Sequence, residues 1–242
     1  MIYPLILALL LCSACLPSQS TIVKHSKISS IERYIPADIP KKDILVVLDL
    51  DDTVGMSVLD QNLAPLWDKV LAPRKQAPKL KFKERLNYIL KLKPMEDETV
   101  NFLQKIQASG IPVIILTART ANLYKRTYDQ LKKIGLDFSS SLSLGNHTLT
   151  SKTLKPVPFF NGILLCSKQN KGETLNLFIT NNNLSPKKII FVDDVSENIV
   201  AVDQATKELS IDCTSIMYTR KKKYGWTGRA KYSLKSLFGS KA

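Results

Sequence analysis

The sequence is short of acidic residues, histidine and cysteine, and no apolar run in it is long enough to span a bilayer. Asp and Glu number 21 against 35 Lys and Arg, a formal net charge of +14. Such an excess attracts polyanions, anionic lipid and phosphorylated molecules over distance and carries no information about fold. From Thr214 onward there is no acidic residue at all, while Arg220 to Lys223, Arg229, Lys231, Lys235 and Lys241 accumulate. With only 9 Gly and 12 Pro in 242 residues and 44% hydrophobic content, low-complexity and disordered classes are excluded. The length suits one α/β domain with small decorations. No internal repeat is present. The two histidines, His25 and His147, match no motif position, so surface roles are expected for both.

Charge is also missing from the N-terminus. No side chain from Met1 to Thr21 is charged, and Ile2 to Leu11 is nearly all apolar. About 20 apolar residues are needed to cross a membrane, so this run is too short. The small residues at Cys12-Ser13-Ala14 complete the outline of a secretory signal that lacks a basic start, and residues 1–20 are set apart from the fold on that basis. Ser13-Ala14-Cys15 resembles the end of a bacterial lipoprotein signal, with Cys12 where Leu is usual. The expectation is export, with periplasmic, Cys15-anchored and secreted fates all open. A buried N-terminal segment is the alternative. Of the remaining cysteines, Cys166 and Cys213 read as buried thiols, with a single disulfide the other option in an exported chain.

Residues 21–42 are polar and basic with Pro36 and Pro40, and read as a linker. Ile44 to Leu48 is a continuous apolar, β-branched run, as expected for a strand buried on both faces of a parallel sheet. Pro112 to Leu116 and Lys188 to Val192 repeat the pattern, and Ile163 to Leu165 and Ile216 to Tyr218 read as shorter strands. Glu96 to Ala108 predicts an amphipathic helix with Val100, Leu103 and Ile106 on one face. Glu84 to Lys91, Asn122 to Ile134 and Glu173 to Phe178 also read as helical, with Ser196 as the cap of a last helix. Strands alternating with helices predict βαβ units and a parallel sheet. Ser139 to Gln169 reads as largely irregular.

Each strong strand ends in residues able to do chemistry, at the edge where open α/β sheets bind ligands. Asp49, Asp51 and Asp52 crowd three carboxylates into four positions after the first strand, and such groups repel unless a cation or donors compensate. A hard divalent cation with oxygen ligands, Mg²⁺ beside a phosphate, meets that need. Asp193 and Asp194 end another strand and offer the same ion further carboxylates. Thr117 offers a hydroxyl for a phosphate oxygen, and Lys171 a charge to offset the phosphoryl group.

In these residues the sequence resembles the haloacid dehalogenase (HAD) superfamily of phosphotransferases, over roughly residues 43–218. Leu48-Asp49-Leu50-Asp51-Asp52-Thr53 reproduces its first motif, Leu116-Thr117-Ala118-Arg119 its second, Asn170-Lys171-Gly172-Glu173 its third and Phe191-Val192-Asp193-Asp194 its fourth. Lys168, Lys152 and Lys155 compete with Lys171 for the third. The resemblance implies a Rossmann-like α/β fold with a parallel sheet flanked by helices and a small helical cap over about 54–95, followed by a basic tail over 219–242. It implies that Asp49 attacks phosphorus and that Asp51 serves as acid and then base. It further implies Mg²⁺ held by the Asp49 carboxylate, the Asp51 backbone carbonyl and Asp193, with Asp194 or Glu197 positioning its waters. The expected activity is Mg²⁺-dependent phosphohydrolysis of an unidentified phosphoester, and the short insertions suggest a site open to large substrates. Trp67, Tyr88 and Lys91 are possible cap contacts. Dehalogenation has no use for an acid at Asp51. A binding protein on the same scaffold, engaging polyanion or anionic membrane through the basic tail, is the alternative of a different class. Tyr224, Trp226 and Tyr232 in that tail form no nucleic-acid recognition motif.

Overall fold

The computed structural model describes residues 20–58 and 90–220. Its centre is β2 (Ile44–Leu48), buried at every position. A strand with no solvent face needs cover on both sides, and the neighbouring sequence supplies it. β5 (Val113–Thr117) and β9 (Lys188–Asp193) pair with β2 on either side, both parallel to it. β8 (Ile163–Leu165) continues the sheet beyond β5, and β10 (Asp212–Tyr218) and then β1 (Ser20–His25) continue it beyond β9, all still parallel. β7 (Val157–Phe160) and β6 (His147–Leu149) close the β8 edge as antiparallel strands. The eight-stranded order is β1-β10-β9-β2-β5-β8-β7-β6. β3 (Gly55–Val58) and β4 (Lys91–Pro94) form a separate antiparallel ribbon.

Among the described residues four α-helices cover the sheet: α1 (Thr99–Ala108), α2 (Tyr124–Lys133), α3 (Lys171–Asn181) and α4 (Ser196–Glu208). Period-two alternation divides the strand residues between two cores. Val46, Leu48, Val113, Ile115, Ile190 and Val192 meet Leu103 and Ile106 of α1 and Leu131 of α2. Leu45, Val47, Ile114, Leu116, Ile189 and Phe191 meet Leu175 and Phe178 of α3 and Ile199 and Val202 of α4. This is the Rossmann-like α/β class that the sequence predicts. The chain leaves β2 toward β5 and β8 and returns on the other side through β9 and β10. The strand order therefore reverses at β2, and ligand crevices form at such a reversal.

Several segments differ from the sequence reading. Residues 21–42, read as a linker, carry most of β1 and a 3-10 turn (Ile28–Tyr34) whose Ile28 and Ile31 sit in the core. The edge position of β1 explains this, because one half-exposed strand with alternating polar residues does not resemble a buried run. Within the stretch read as irregular, β6 and β7 pair, and Asn161 and Gly162 turn the chain from β7 into β8 with φ of 50° and 75°. Positive φ at both central residues is what a tight hairpin turn requires, and Asn-Gly supplies it at least cost. A Cβ on Gly162 would lie 2.2 Å from the Phe138 carbonyl oxygen, so no other residue fits. Ser196 does not cap α4: Val195 holds the cap position, and the Ser196 hydroxyl bonds Glu197 instead. Cys166 and Cys213 are free and buried. The signal reading over 1–20, the cap over about 54–95 and the basic tail over 219–242 fall mostly on residues 1–19, 59–89 and 221–242, which lie outside the described residues. Among the described residues no helix is long and apolar enough to cross a membrane.

Candidate active site

Parallel pairing of β2 with β9 brings the first and last acidic motifs together. Sheet hydrogen bonding continues one residue past β2, where Asp49 N donates to the Val192 carbonyl at 2.9 Å. Asp49 therefore lies beside Asp193 at the carboxyl edge of the sheet. Leu50 is fully buried between Asp49, itself only 6% exposed, and Asp51, whose side chain is 38% exposed. The loop then turns tightly. The Leu50 carbonyl accepts from Thr53, Val54 and Gly55, and Asp52 takes a left-handed φ of 72° with its N–H on the Gly55 carbonyl. Thr53 is wholly buried, and its hydroxyl has no hydrogen-bond partner.

Lys171 opens α3, with Asn170 as a true cap accepting from Glu173 N at 3.0 Å. Its side chain is 1% exposed. The ammonium donates to Asp49 Oδ1 at 2.5 Å and to Asp193 Oδ2 at 2.7 Å. Burial lowers the Lys171 pKa, but Asp49 and Asp193 more than offset it, so this lysine is held charged. Lys152, Lys155 and Lys168 are exposed, so Lys171 is the lysine the fold places at the carboxylates. Asp193 also accepts from Val195 N at 2.8 Å and from Asn198 Nδ2 at 3.0 and 3.1 Å.

One ammonium leaves this cluster net negative. Burial pushes Asp49 up to about 7, with Asp193 and Asp51 adding to the rise and Lys171 opposing it. Oxygens of Asp49, Asp193 and Asp194 lie within 4.8 Å of one another. Three carboxylate oxygens on a partly closed, electron-rich spot are the donor set of a hard cation such as Mg²⁺. The residues therefore fit that ion, and Asp49, Asp193 and Asp194 are the ones that would hold it. Glu197 is exposed and bonded to Ser196, outside this group.

The Asp51 side chain goes elsewhere. Arg119 holds it in a two-pronged pair, Nε to Oδ2 and Nη2 to Oδ1, both at 2.8 Å. Thr117 ends β5 fully buried, and its hydroxyl accepts from Arg119 N at 3.2 Å. Arg119, Asn198 and Gln130 form part of the constellation without having been singled out from sequence. Only Arg119 stood inside a motif, and one Arg beyond a strand carries no signal of burial.

Comparison with known proteins places the chain. Residues 24–227 match the model of a family described as "Protein of unknown function (DUF2608)". The chain belongs to that family. It is similar to a Chlamydia trachomatis protein, 27% identical over 131 residues that cover 54% of this chain and 48% of that one. A Chlamydia pneumoniae protein is 23% identical over 209 residues, 81% of this chain and 77% of that one. Both carry the name "Putative outer membrane protein". The match thus spans about half the length of the first relative. Among solved structures, the N-terminal part of a Bacteroides fragilis protein, described as containing a phosphatase domain complexed with Mg, matches at 12% identity. It has a TM-score of 0.40 and covers 88% of this chain and 43% of that one.

Proposed function

We propose that the protein is a Mg²⁺-dependent phosphohydrolase that works through a phosphorylated Asp49. The observation that carries this reading is the buried Lys171 ammonium shared by Asp49 and Asp193, with Asp194 completing an oxygen cluster. Among the described residues Asp49 Oδ2 accepts no hydrogen bond, which leaves an oxygen for nucleophilic attack.

Asp49 attacks phosphorus, forming a carboxylate–phosphorus bond as the bond to the leaving oxygen breaks. Asp51, protonated for this step, gives its proton to that oxygen. In the second half Asp51 takes a proton from water, whose oxygen attacks phosphorus, and Asp49 is released with inorganic phosphate. Lys171 offsets repulsion between Asp49 and the incoming anion, and Thr117 offers its hydroxyl to a phosphate oxygen. A bound Mg²⁺ supplies charge neutralisation at the phosphoryl oxygens. Export fits the uncharged, apolar N-terminal run and the names of the chlamydial relatives.

The test is hydrolysis of an aryl phosphate by the purified full chain, with and without Mg²⁺, beside Asp49→Asn. The expected result is activity that needs both the metal and Asp49, with loss of at least about a thousandfold in the variant. Activity that persists in Asp49→Asn would overturn the mechanism. A wild type inactive on every ester tried, which also binds no Mg²⁺ in calorimetry, would favour the binding protein.

A further inference from the structure

We infer that Gln130 is a positioning residue for Asp51, acting through Arg119 and held in place by the Leu90 carbonyl at the head of β4. The inference rests on the phosphohydrolase reading above, in which Asp51 moves the proton. The Arg119 side chain is 2% exposed. A guanidinium can only donate, so each buried N–H needs an acceptor. Nε and Nη2 face Asp51, and Nη1 points the other way, to Thr127 Oγ1 at 3.1 Å and Gln130 Oε1 at 2.6 Å. Both acceptors come from α2.

The amide of Gln130 can face only one way. Its oxygen must meet Arg119, because its NH₂ would set donor against donor. That choice turns Nε2 toward the Leu90 carbonyl, which accepts at 2.6 Å. A flipped amide would be wrong at both ends, so the two contacts fix each other. Arg126 Nη2 donates to the same carbonyl at 2.9 Å. Leu90 directly precedes β4, and the partner strand β3 begins at Gly55, just after the Asp49–Thr53 loop. Two buried residues, Gln130 at 2% and Arg119 at 4% exposure, therefore connect the ribbon to a carboxylate whose side chain is 38% exposed.

That arrangement matters because both oxygens of the partly exposed Asp51 carboxylate are gripped by the Arg119 fork. Proton transfer requires the donor within hydrogen-bond reach of the leaving oxygen. With Gln130 gone, Nη1 keeps Thr127 alone and the guanidinium plane can turn. The effect should fall on the proton-transfer step and spare attack by Asp49.

Leaving-group dependence reads this out. Departure of an alkyl alcohol needs the proton from Asp51, whereas a dinitrophenolate leaves without it. In Gln130→Met, kcat/KM for an alkyl phosphate, which reports only the steps up to phosphoryl transfer, is expected to fall about tenfold or more, and kcat/KM for dinitrophenyl phosphate by less than about threefold. In the metal-free protein, solvent exchange of the Arg119 Nε–H, followed by NMR, should quicken. Equal losses on both esters would show a merely structural role and overturn the inference, as would unchanged rates on both or unchanged Nε–H exchange. A wild type inactive on both esters would overturn the hydrolase reading and this inference with it. Should Gln130→Met not be recovered folded, Gln130→Asn keeps an amide but is one methylene too short to reach both partners. The same selectivity is expected there, and its absence is equally contrary.

Discussion

A single buried ammonium cannot neutralise two carboxylates in contact with it and a third close by. Like charges 4.8 Å apart, the limit for these oxygens, repel by about 3–4 kcal/mol at an effective dielectric constant near 20. Without metal the fold answers by holding Asp49 partly protonated at neutral pH, its pKa raised by burial to about 7. A group whose folded pKa lies above its unfolded value adds stability below the unfolded value, and that stability is lost as pH rises through the folded one. For Asp49 the window runs from about 4 to about 7. Asp49→Asn, which mimics the protonated acid, should therefore leave metal-free stability nearly unchanged at about pH 3.5, below that window. It should raise stability near pH 8 by about 2–4 kcal/mol. Thermal unfolding in chelator at the two pH values checks this, and an Asn variant less stable at pH 8 would contradict it.

Helices α3 and α4 act as a pair, and Lys171 depends on how closely they pack. A Cβ on Gly172 would meet the Ala201 carbonyl oxygen at 2.1 Å, which is backbone and cannot swing aside. Gly172→Ala should push α3 off α4, cost about 1–3 kcal/mol by overpacking and move the adjacent Lys171. A Tm several degrees lower, with reduced Mg²⁺-dependent hydrolysis, is expected; an unchanged Tm would show that α3 can shift freely. The strands that carry the site were legible in sequence for the same reason that they are central. Ile44–Leu48, Val113–Thr117 and Lys188–Asp193 are buried on both faces, so they read as unbroken apolar runs ending in polar groups. Edge elements gave no such signal. β1 mixes polar and apolar residues, and β7 carries Pro158, which counts against a strand. Asn161-Gly162 was a readable hairpin turn inside the region taken as irregular. The Asp51–Arg119–Gln130 chain was not readable, because its members lie far apart in sequence and meet only after α2 docks.

Across the whole molecule the described ends converge on one buried acid. Glu96, 4% exposed, follows β4 and accepts from Ile28 N and from the Tyr218 hydroxyl, both at 2.8 Å, while Arg220 pairs with it at 3.0 Å. Burial, with Glu96 adding to it, pushes the Tyr218 phenol up, so it stays a donor. The N-terminal turn, the ribbon exit and the residues that follow β10 are thus tied together by Glu96. The chain is basic by +14, and such a field favours the approach of anionic molecules. The most direct test of a metal-assisted phosphoaspartate site is binding of beryllium fluoride, which completes an aspartyl-phosphate mimic, followed by fluorine NMR on the full chain. The account predicts a bound fluoroberyllate signal that requires both Mg²⁺ and Asp49. A wild type that gives no such signal with Mg²⁺ present, or an Asp49→Asn protein that gives the same one, would contradict it.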